Sequence, residues 1–150
     1  MTFDEWIERI NTEVRNFIKT IDEEYDCRMG TDFTCYLDES VVEWSVLCPE
    51  KCGQSFYENF VSRYPKANGF NLFTLSLLHE VGHLETEGEM IDDTRIRKRT
   101  LTDEDYFNLF NEMIATDWAG RWIEKNFKKA VALDKQFTKT LKEFYAEVLD

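Results

Sequence analysis

Apolar residues recur every three or four positions along most of the chain. Near its start, from Phe3 to Ile21, they form one continuous stripe, and this spacing predicts an amphipathic helix over residues 2–22. The same periodicity predicts four more helices, over about residues 54–64, 70–87, 102–125 and 127–148. The chain is therefore expected to be mostly helical.

Residues with strong local preferences mark the ends of these helices. Pro65 ends the second, because proline disfavours helix at the residue before it. Gly88 is the expected C-cap of the third, and Thr102 is the expected N-cap of the fourth. The last helix is predicted to break near residues 133–134.

One segment has a different pattern, typical of β-strands. Two short runs of β-branched and aromatic residues, 33–37 and 41–47, flank the turn sequence 38–40, and this arrangement predicts a hairpin. In the second run apolar residues alternate with Glu43 and Ser45, so one face is expected to be buried. We expect this run to be an edge strand of a small antiparallel sheet packed on the helices. The predicted fold class is α+β.

Composition and charge narrow the possible partners. The 150 residues, with 43% hydrophobic and 15% aromatic content, predict one globular domain over 1–150 and leave the oligomeric state open. The net charge of −12 argues against a nucleic-acid ligand, because binding of phosphates depends on Lys and Arg. No apolar run exceeds four residues and acids follow the first Met, so we expect a cytoplasmic protein without a membrane segment.

The four cysteines, Cys27, Cys35, Cys48 and Cys52, are expected to be reduced thiols, because we see no export signal. A zinc knuckle in which Cys48 and Cys52 bind the ion together with Cys27 and Cys35 is the alternative. The chain lacks the two Cys-x-x-Cys pairs of a typical structural zinc site, which favours free thiols.

The two histidines of the chain stand four residues apart, in the segment His79-Glu80-Val81-Gly82-His83. Positions four apart lie on one face of a helix, so both imidazoles can reach one ion. This H-E-x-x-H pattern is that of zinc metallopeptidases, in which the Glu deprotonates a metal-bound water. We predict His79 and His83 as zinc ligands and Glu80 as the general base. Two ordinary helix histidines are the alternative.

A catalytic zinc needs a third protein ligand and an open fourth position. No third His exists, so this ligand must be a carboxylate or, less often, a Cys. Glu112 lies on the predicted fourth helix with Ala115 and Ala119 on the same side, and these small residues allow close approach to the histidine helix. We therefore predict Glu112 as the third ligand.

Together these residues resemble the gluzincin metallopeptidases. The resemblance rests on the H-E-x-x-H motif and the downstream Asn111-Glu112-x-x-Ala115, within about residues 70–122. In that family two His and a Glu from a following helix bind zinc. The resemblance thus implies a zincin-like fold and peptide-bond hydrolysis by a zinc-activated water, with Glu80 as base and proton shuttle. The small size is also similar to compact peptidases of phages and mobile elements.

Two features depart from the family pattern. Four residues after the ligand Glu, many relatives have an Asp that hydrogen-bonds a zinc histidine, whereas this chain has Thr116 there and Asp117 next to it. For Asp117 we expect a semi-buried ion pair with Arg121, with metal ligation or support of a ligand as alternatives. Relatives also use a separate His or Tyr to stabilise the oxyanion, and Tyr106 or Arg121 are the candidates here.

Two functions from different classes follow. The first is a soluble zinc peptidase that pairs its 41–47 strand with an extended peptide or protein substrate. The second is a non-catalytic, zinc-stabilised acidic protein that binds a basic partner. Glu80, which a structural site does not need, favours the enzyme, and the fourth coordination position would distinguish the two classes.

Overall fold

The computed structural model describes residues 1–46, 50–89 and 103–148, with backbone only for 50–52 and 103–109. Within these ranges it contains five α-helices and three β-strands. The helices are α1 (Phe3–Ile21), α2 (Glu50–Arg63), α3 (Leu72–Glu85), α4 (Asp103–Lys125) and α5 (Phe127–Val148). The strands are β1 (Asp26–Met29), β2 (Thr34–Tyr36) and β3 (Val41–Trp44). The predicted α+β class, mostly helical with a small sheet, is confirmed.

The first helix, α1, forms as its periodicity predicts. Thr2 and Glu5 form a capping box, in which the Thr2 hydroxyl accepts from the Glu5 amide at 3.2 Å. The buried stripe of α1 packs against β1 and α5. Asn11 ties the helix to the sheet, because its side-chain oxygen accepts from the Trp44 indole at 2.7 Å.

The sheet differs from the predicted one in two respects. β2 and β3 form the predicted antiparallel hairpin, but β1 pairs in parallel with β3, so the sheet is mixed, with the order β1-β3-β2. β3 is therefore central, and the prediction that it is an edge strand is wrong. Val42 and Trp44 of β3 are fully buried, whereas β1 buries only Cys27. This polar composition explains why the sequence pattern did not indicate β1. Residue 47, the predicted end of β3, lies outside the described residues.

The histidine helix, α3, is buried on almost every side, as expected for a helix that is apolar all round. It packs against α4, α5, β2 and β3. Asn71 is its N-cap, and its C-cap is Thr86 instead of the predicted Gly88. The amide and hydroxyl of Thr86 both donate to the Gly82 carbonyl, so the helix end needs no glycine.

The last helix, α5, is continuous, so the predicted break near residues 133–134 is wrong. Asp134 accepts hydrogen bonds from the Asn71 amide at 2.8 Å and from the Thr74 hydroxyl at 2.6 Å. Its carboxylate thus lies at the N-terminal end of α3, where the helix dipole favours a negative charge. α5 holds the start of the histidine helix in place.

The remaining helix ends follow the sequence where they are described. α2 ends at Arg63, before Pro65, as predicted, although it begins earlier than the pattern indicates. The predicted cap Thr102 lies outside the described residues. In the part of the chain that the structure describes, no helix combines the length and the apolar character needed to cross a membrane.

Candidate metal centre

The two histidines and Glu112 come together between α3 and α4. The imidazole Nε2 atoms of His79 and His83 lie 2.5 and 3.1 Å from different oxygens of the Glu112 carboxylate. One ligand atom from each of the three residues lies within 4.8 Å of the other two. The structure therefore brings together the three residues that the sequence predicts as ligands.

Small residues allow α3 and α4 to approach this closely. Ala115 and Ala119 of α4 are fully buried. A Cβ built on Gly82 of α3 would lie 2.4 Å from the Ala115 carbonyl oxygen. Only glycine fits at this crossing, because a backbone atom cannot move aside as a flexible side chain can. The short distance between the helices is what lets Glu112 reach the imidazoles.

The donor atoms of the cluster fit the requirements of a zinc ion. Zinc binds His nitrogen and carboxylate oxygen at about 2.0–2.2 Å, which places tetrahedral ligand atoms about 3.3–3.6 Å apart. The hydrogen-bonded separations in the cluster are somewhat shorter. The Glu112 side chain is 57% exposed and can withdraw by a fraction of an ångström, whereas His79 and His83 are buried. The site therefore has two donors held in place by burial, His79 and His83, and one donor that can move, Glu112.

Contacts on two sides orient the His79 imidazole. Its Nδ1 atom lies 3.0 Å from Thr116 Oγ1, and the Phe56 ring packs edge to face against it at a centroid distance of 5.3 Å. When Nδ1 carries the proton and donates to Thr116, Nε2 keeps its lone pair directed at the cluster. Thr116 therefore makes the contact for which the family pattern has an Asp.

Glu80 is buried beside the cluster, with 9% of its surface exposed. Burial raises the pKa of its carboxyl group, although the nearby imidazoles of His79 and His83 oppose this shift. The thiol of Cys35 on β2 lies next to the same carboxylate. Burial, together with the negative charge of Glu80, raises the pKa of Cys35 to about 12. Cys35 is thus a protonated thiol that links the sheet to the predicted base, a contact that sequence spacing could not indicate.

Hydrogen bonds within the cluster shift the pKa values of its members in opposite directions. Burial alone would raise the pKa of Glu112, but the hydrogen bonds to His79 and His83 hold it well below its usual range. Burial alone would lower the pKa of His83, but the bond to Glu112 raises it above the ordinary value of 6.5. In the metal-free cluster the carboxylate and the imidazole therefore stabilise each other's charged forms.

Asp117 lies beside the cluster but takes no part in it. It forms an ion pair with Arg63 and accepts a hydrogen bond from the Tyr64 hydroxyl at 2.7 Å. The predicted ion pair of Asp117 thus exists, but its partner comes from α2 and is not Arg121. A Cβ on Gly120 would lie 2.3 Å from the Tyr64 ring, so this glycine leaves the space through which Tyr64 reaches Asp117.

The structure tests one of the two residues predicted to stabilise the oxyanion, Arg121, and leaves the other, Tyr106, untested. Arg121 is exposed and follows Glu112 by nine residues, which corresponds to about 13 Å along the helix axis. This distance argues against Arg121 as a donor at the cluster. The side chain of Tyr106 lies outside the described residues, and its role stays a prediction.

The structure describes the side chains of two of the four cysteines. Cys27 and Cys35 are free thiols, as predicted. Cys48 and the side chain of Cys52 lie outside the described residues. The zinc-knuckle alternative, which needs that pair together with Cys27 and Cys35, therefore stays a hypothesis.

Comparison with known proteins gives no match. No family model matches the chain, and no curated protein or solved structure is similar to it at a significant level. The likeness to gluzincins therefore rests on the motif residues alone.

Proposed function

We propose that the protein is a zinc-dependent peptidase in which His79, His83 and Glu112 hold the ion and Glu80 is the general base. One observation carries the proposal: two imidazole nitrogens converge on one carboxylate, with all three ligand atoms within 4.8 Å, beside a second carboxylate that is buried. A purely structural zinc site does not need the second carboxylate.

Each residue has a separate task in peptide hydrolysis. When bound, zinc supplies a Lewis acid that polarises the peptide carbonyl and makes water a better nucleophile near neutral pH. Glu80 takes the proton that the attacking water gives up and passes it to the leaving amine. Its position supports this task, because Glu80 follows His79 in the chain and is buried beside the cluster. Thr116 keeps His79 in the orientation that ligation requires.

The sheet edge next to α3 offers a place for an extended peptide. The expectation that residues 41–47 pair with substrate is wrong, because β3 already has a strand on each side. Among the described strands, β2 has a neighbour on one side only, and a cleft of about 390 Å³ is lined by residues 35–39. Main-chain hydrogen bonds to β2 would bring a peptide carbonyl close to Glu80, which already neighbours Cys35. The net charge of −12 favours basic segments.

A comparison of two matched variants tests the proposal. Glu80→Gln keeps the size of the side chain but removes the proton acceptor. Glu124→Gln makes the same change at an exposed position of α4. Zinc content is measured by elemental analysis, and cleavage of a mixed peptide library or an unfolded protein by mass spectrometry. We expect chelator-sensitive cleavage in the wild type and in Glu124→Gln. In Glu80→Gln it should fall by about a hundredfold to ten-thousandfold with zinc retained.

Two results would contradict this function. Chelator-sensitive cleavage that is undiminished in Glu80→Gln would remove Glu80 from the mechanism. A zinc ion with four protein ligands would leave no open position and would favour the alternative, a zinc-stabilised acidic protein that binds a basic partner. Absorption spectra of the cobalt-substituted protein, recorded with and without an added ligand such as azide, distinguish the two, because only an open position can bind the added ligand.

A further inference from the structure

The charges of the chain are distributed unevenly along the sequence. Residues 121–142, from the end of α4 through most of α5, contain seven basic and two acidic side chains, a net charge of +5. The other residues contain 11 basic and 28 acidic side chains, a net charge of −17. Surfaces that serve solubility alone intersperse both signs, so this separation indicates an interaction surface.

Four exposed lysines of this region lie on one face of α5: Lys128, Lys135, Lys139 and Lys142. At 3.6 residues per turn they fall within about 60° of one another, opposite the buried residues of the helix. They span about 21 Å along the helix axis. We call this surface the lysine face.

The acidic residues of α5 have partners on other elements and do not pair with the lysine face. Asp134 accepts hydrogen bonds at the start of α3. Glu143 pairs with Arg9 of α1 at 3.4 Å, and Glu147 pairs with the N-terminal ammonium group. In the part of the chain that the structure describes, none of the four lysines takes part in an ion pair. The lysine face therefore keeps its positive charge available.

A short acidic partner fits this surface best. Lysines attract carboxylates and phosphates alike, but the charge of −17 on the other residues repels an anion that extends past the lysine face. A nucleic-acid duplex or an anionic membrane extends well beyond this length. A peptide segment of about seven extended or 14 helical residues covers the 21 Å of the face and no more.

We propose that the lysine face binds a short acidic segment of a partner protein. The carboxylates of that segment pair with the four lysines, and the acidic remainder of the chain leaves the segment no competing place to bind. α5 contributes no residue to the metal cluster, so this binding does not depend on the proposed peptidase activity.

A labelled peptide of eight glutamates tests the proposal. It spans about 26 Å when extended, close to the length of the lysine face. The peptide is titrated with the zinc-loaded full chain and followed by fluorescence anisotropy, with a peptide of eight glutamines as the control. We expect the glutamate peptide alone to bind, and its affinity to fall as salt screens the charges. In two-dimensional NMR, amide shift changes should be concentrated in α5 and absent from α3.

A matched pair of double variants locates the binding surface. Lys135→Gln with Lys139→Gln removes two charges from the lysine face, whereas Lys19→Gln with Lys66→Gln removes the same charge at exposed positions elsewhere. All four changes are on exposed side chains, so both variants should fold as the wild type does. We expect the first variant to bind the glutamate peptide about tenfold more weakly, as two lost ion pairs imply, and the second to bind it nearly as tightly as the wild type.

Two results with the peptide would overturn the proposal: no binding at millimolar concentration, or equal weakening in the two double variants. Two further results would assign the lysine face to another occupant and so overturn it as well. One is tighter binding of a DNA duplex or of phosphatidylserine vesicles than of the glutamate peptide. The other is self-association of the wild type, seen by sedimentation, that is lost in the Lys135→Gln, Lys139→Gln variant.

Discussion

Helices α3 and α4 each place one carboxylate at the histidine pair, and the two carboxylates have different environments. Glu80 on α3 is 9% exposed, and burial raises its pKa. The Glu112 side chain on α4 is 57% exposed, and hydrogen bonds to the imidazoles hold its pKa low. Burial therefore favours the protonated form of Glu80, whereas the hydrogen bonds to the imidazoles keep Glu112 anionic. Two residues of one type thus differ in charge preference because of their surroundings, as the proposed roles of base and ligand require.

Removal of Glu112 should have the largest effect on this arrangement. In Glu112→Ala we expect zinc affinity to fall by about a hundredfold or more, because loss of a ligand should exceed the 10–100-fold effect of losing a residue that supports one. Competition with a chromophoric chelator measures the affinity. Glu80→Gln and Asp117→Ala should both bind zinc nearly as the wild type does. If Asp117→Ala loses the ion and Glu112→Ala keeps it, the ligand assignment is wrong.

Widening the gap between α3 and α4 should have the second-largest effect. Gly82→Ala places a methyl group 2.4 Å from the Ala115 carbonyl oxygen, so the helices must separate. We expect a loss of about 1–3 kcal/mol in the free energy of unfolding, measured by urea denaturation, together with weaker zinc binding.

A second glycine provides the control for this variant. A Cβ on Gly88 meets no atom within 4 Å, so Gly88→Ala should leave both properties nearly unchanged. Equal stability of the two alanine variants would contradict the close crossing at Gly82.

The contact between Thr116 and His79 should have a smaller effect. Thr116→Val keeps the shape of the side chain but removes the oxygen that lies 3.0 Å from Nδ1. We expect zinc affinity to fall by about tenfold, the lower end of the range for groups that orient a metal histidine. Thr116→Ser should restore most of this loss. Wild-type affinity in Thr116→Val would show that Phe56 and the helix alone orient the imidazole.

The dependence of stability on pH should be the smallest effect. In the metal-free protein the raised pKa of His83 contributes stability below about pH 6.5, which is lost as the pH rises through the folded-state value. The lowered pKa of Glu112 contributes stability above about pH 4.5, which is lost as the pH falls. The pairing therefore stabilises most between these values.

Glu112→Gln lacks this pairing and serves as the reference. Thermal denaturation should show that the advantage of the wild type over this variant shrinks as the pH rises above about 6.5. With zinc the trend should reverse, because ligation requires deprotonated imidazoles. If the difference in stability between the two metal-free proteins does not change with pH, the pairing of His83 with Glu112 is contradicted.

The sequence is most informative where one periodic pattern dominates. α1 is found because its apolar residues follow the helical repeat, and the hairpin because two β-rich runs flank a polar turn. The cluster could be predicted because the motif fixes two donors on one helix face, and because Ala115 and Ala119 indicate a close approach. These signals are local.

The features that sequence analysis missed depend on contacts between distant segments. β1 has almost no apolar pattern, and its pairing made β3 central. The partner of Asp117 comes from another helix, 54 residues earlier in the chain. Asp134 is poorly suited to a helix interior by intrinsic preference, but its bonds to α3 stabilise it there. No local rule identifies such partners.

The bond between Asp134 and Asn71 also has a consequence for synthesis on the ribosome. The two residues are 63 positions apart, so the histidine helix emerges long before the carboxylate that holds its first turn. Until the segments of α4 and α5 have followed, α3, which is apolar on almost every side, has neither helix to cover it. A nascent chain at this stage exposes the kind of surface that chaperones bind and that aggregates form from. The cluster of His79, His83 and Glu112 can thus form only after the α4 segment has been made, and the first turn of its histidine helix is held only once Asp134 has followed.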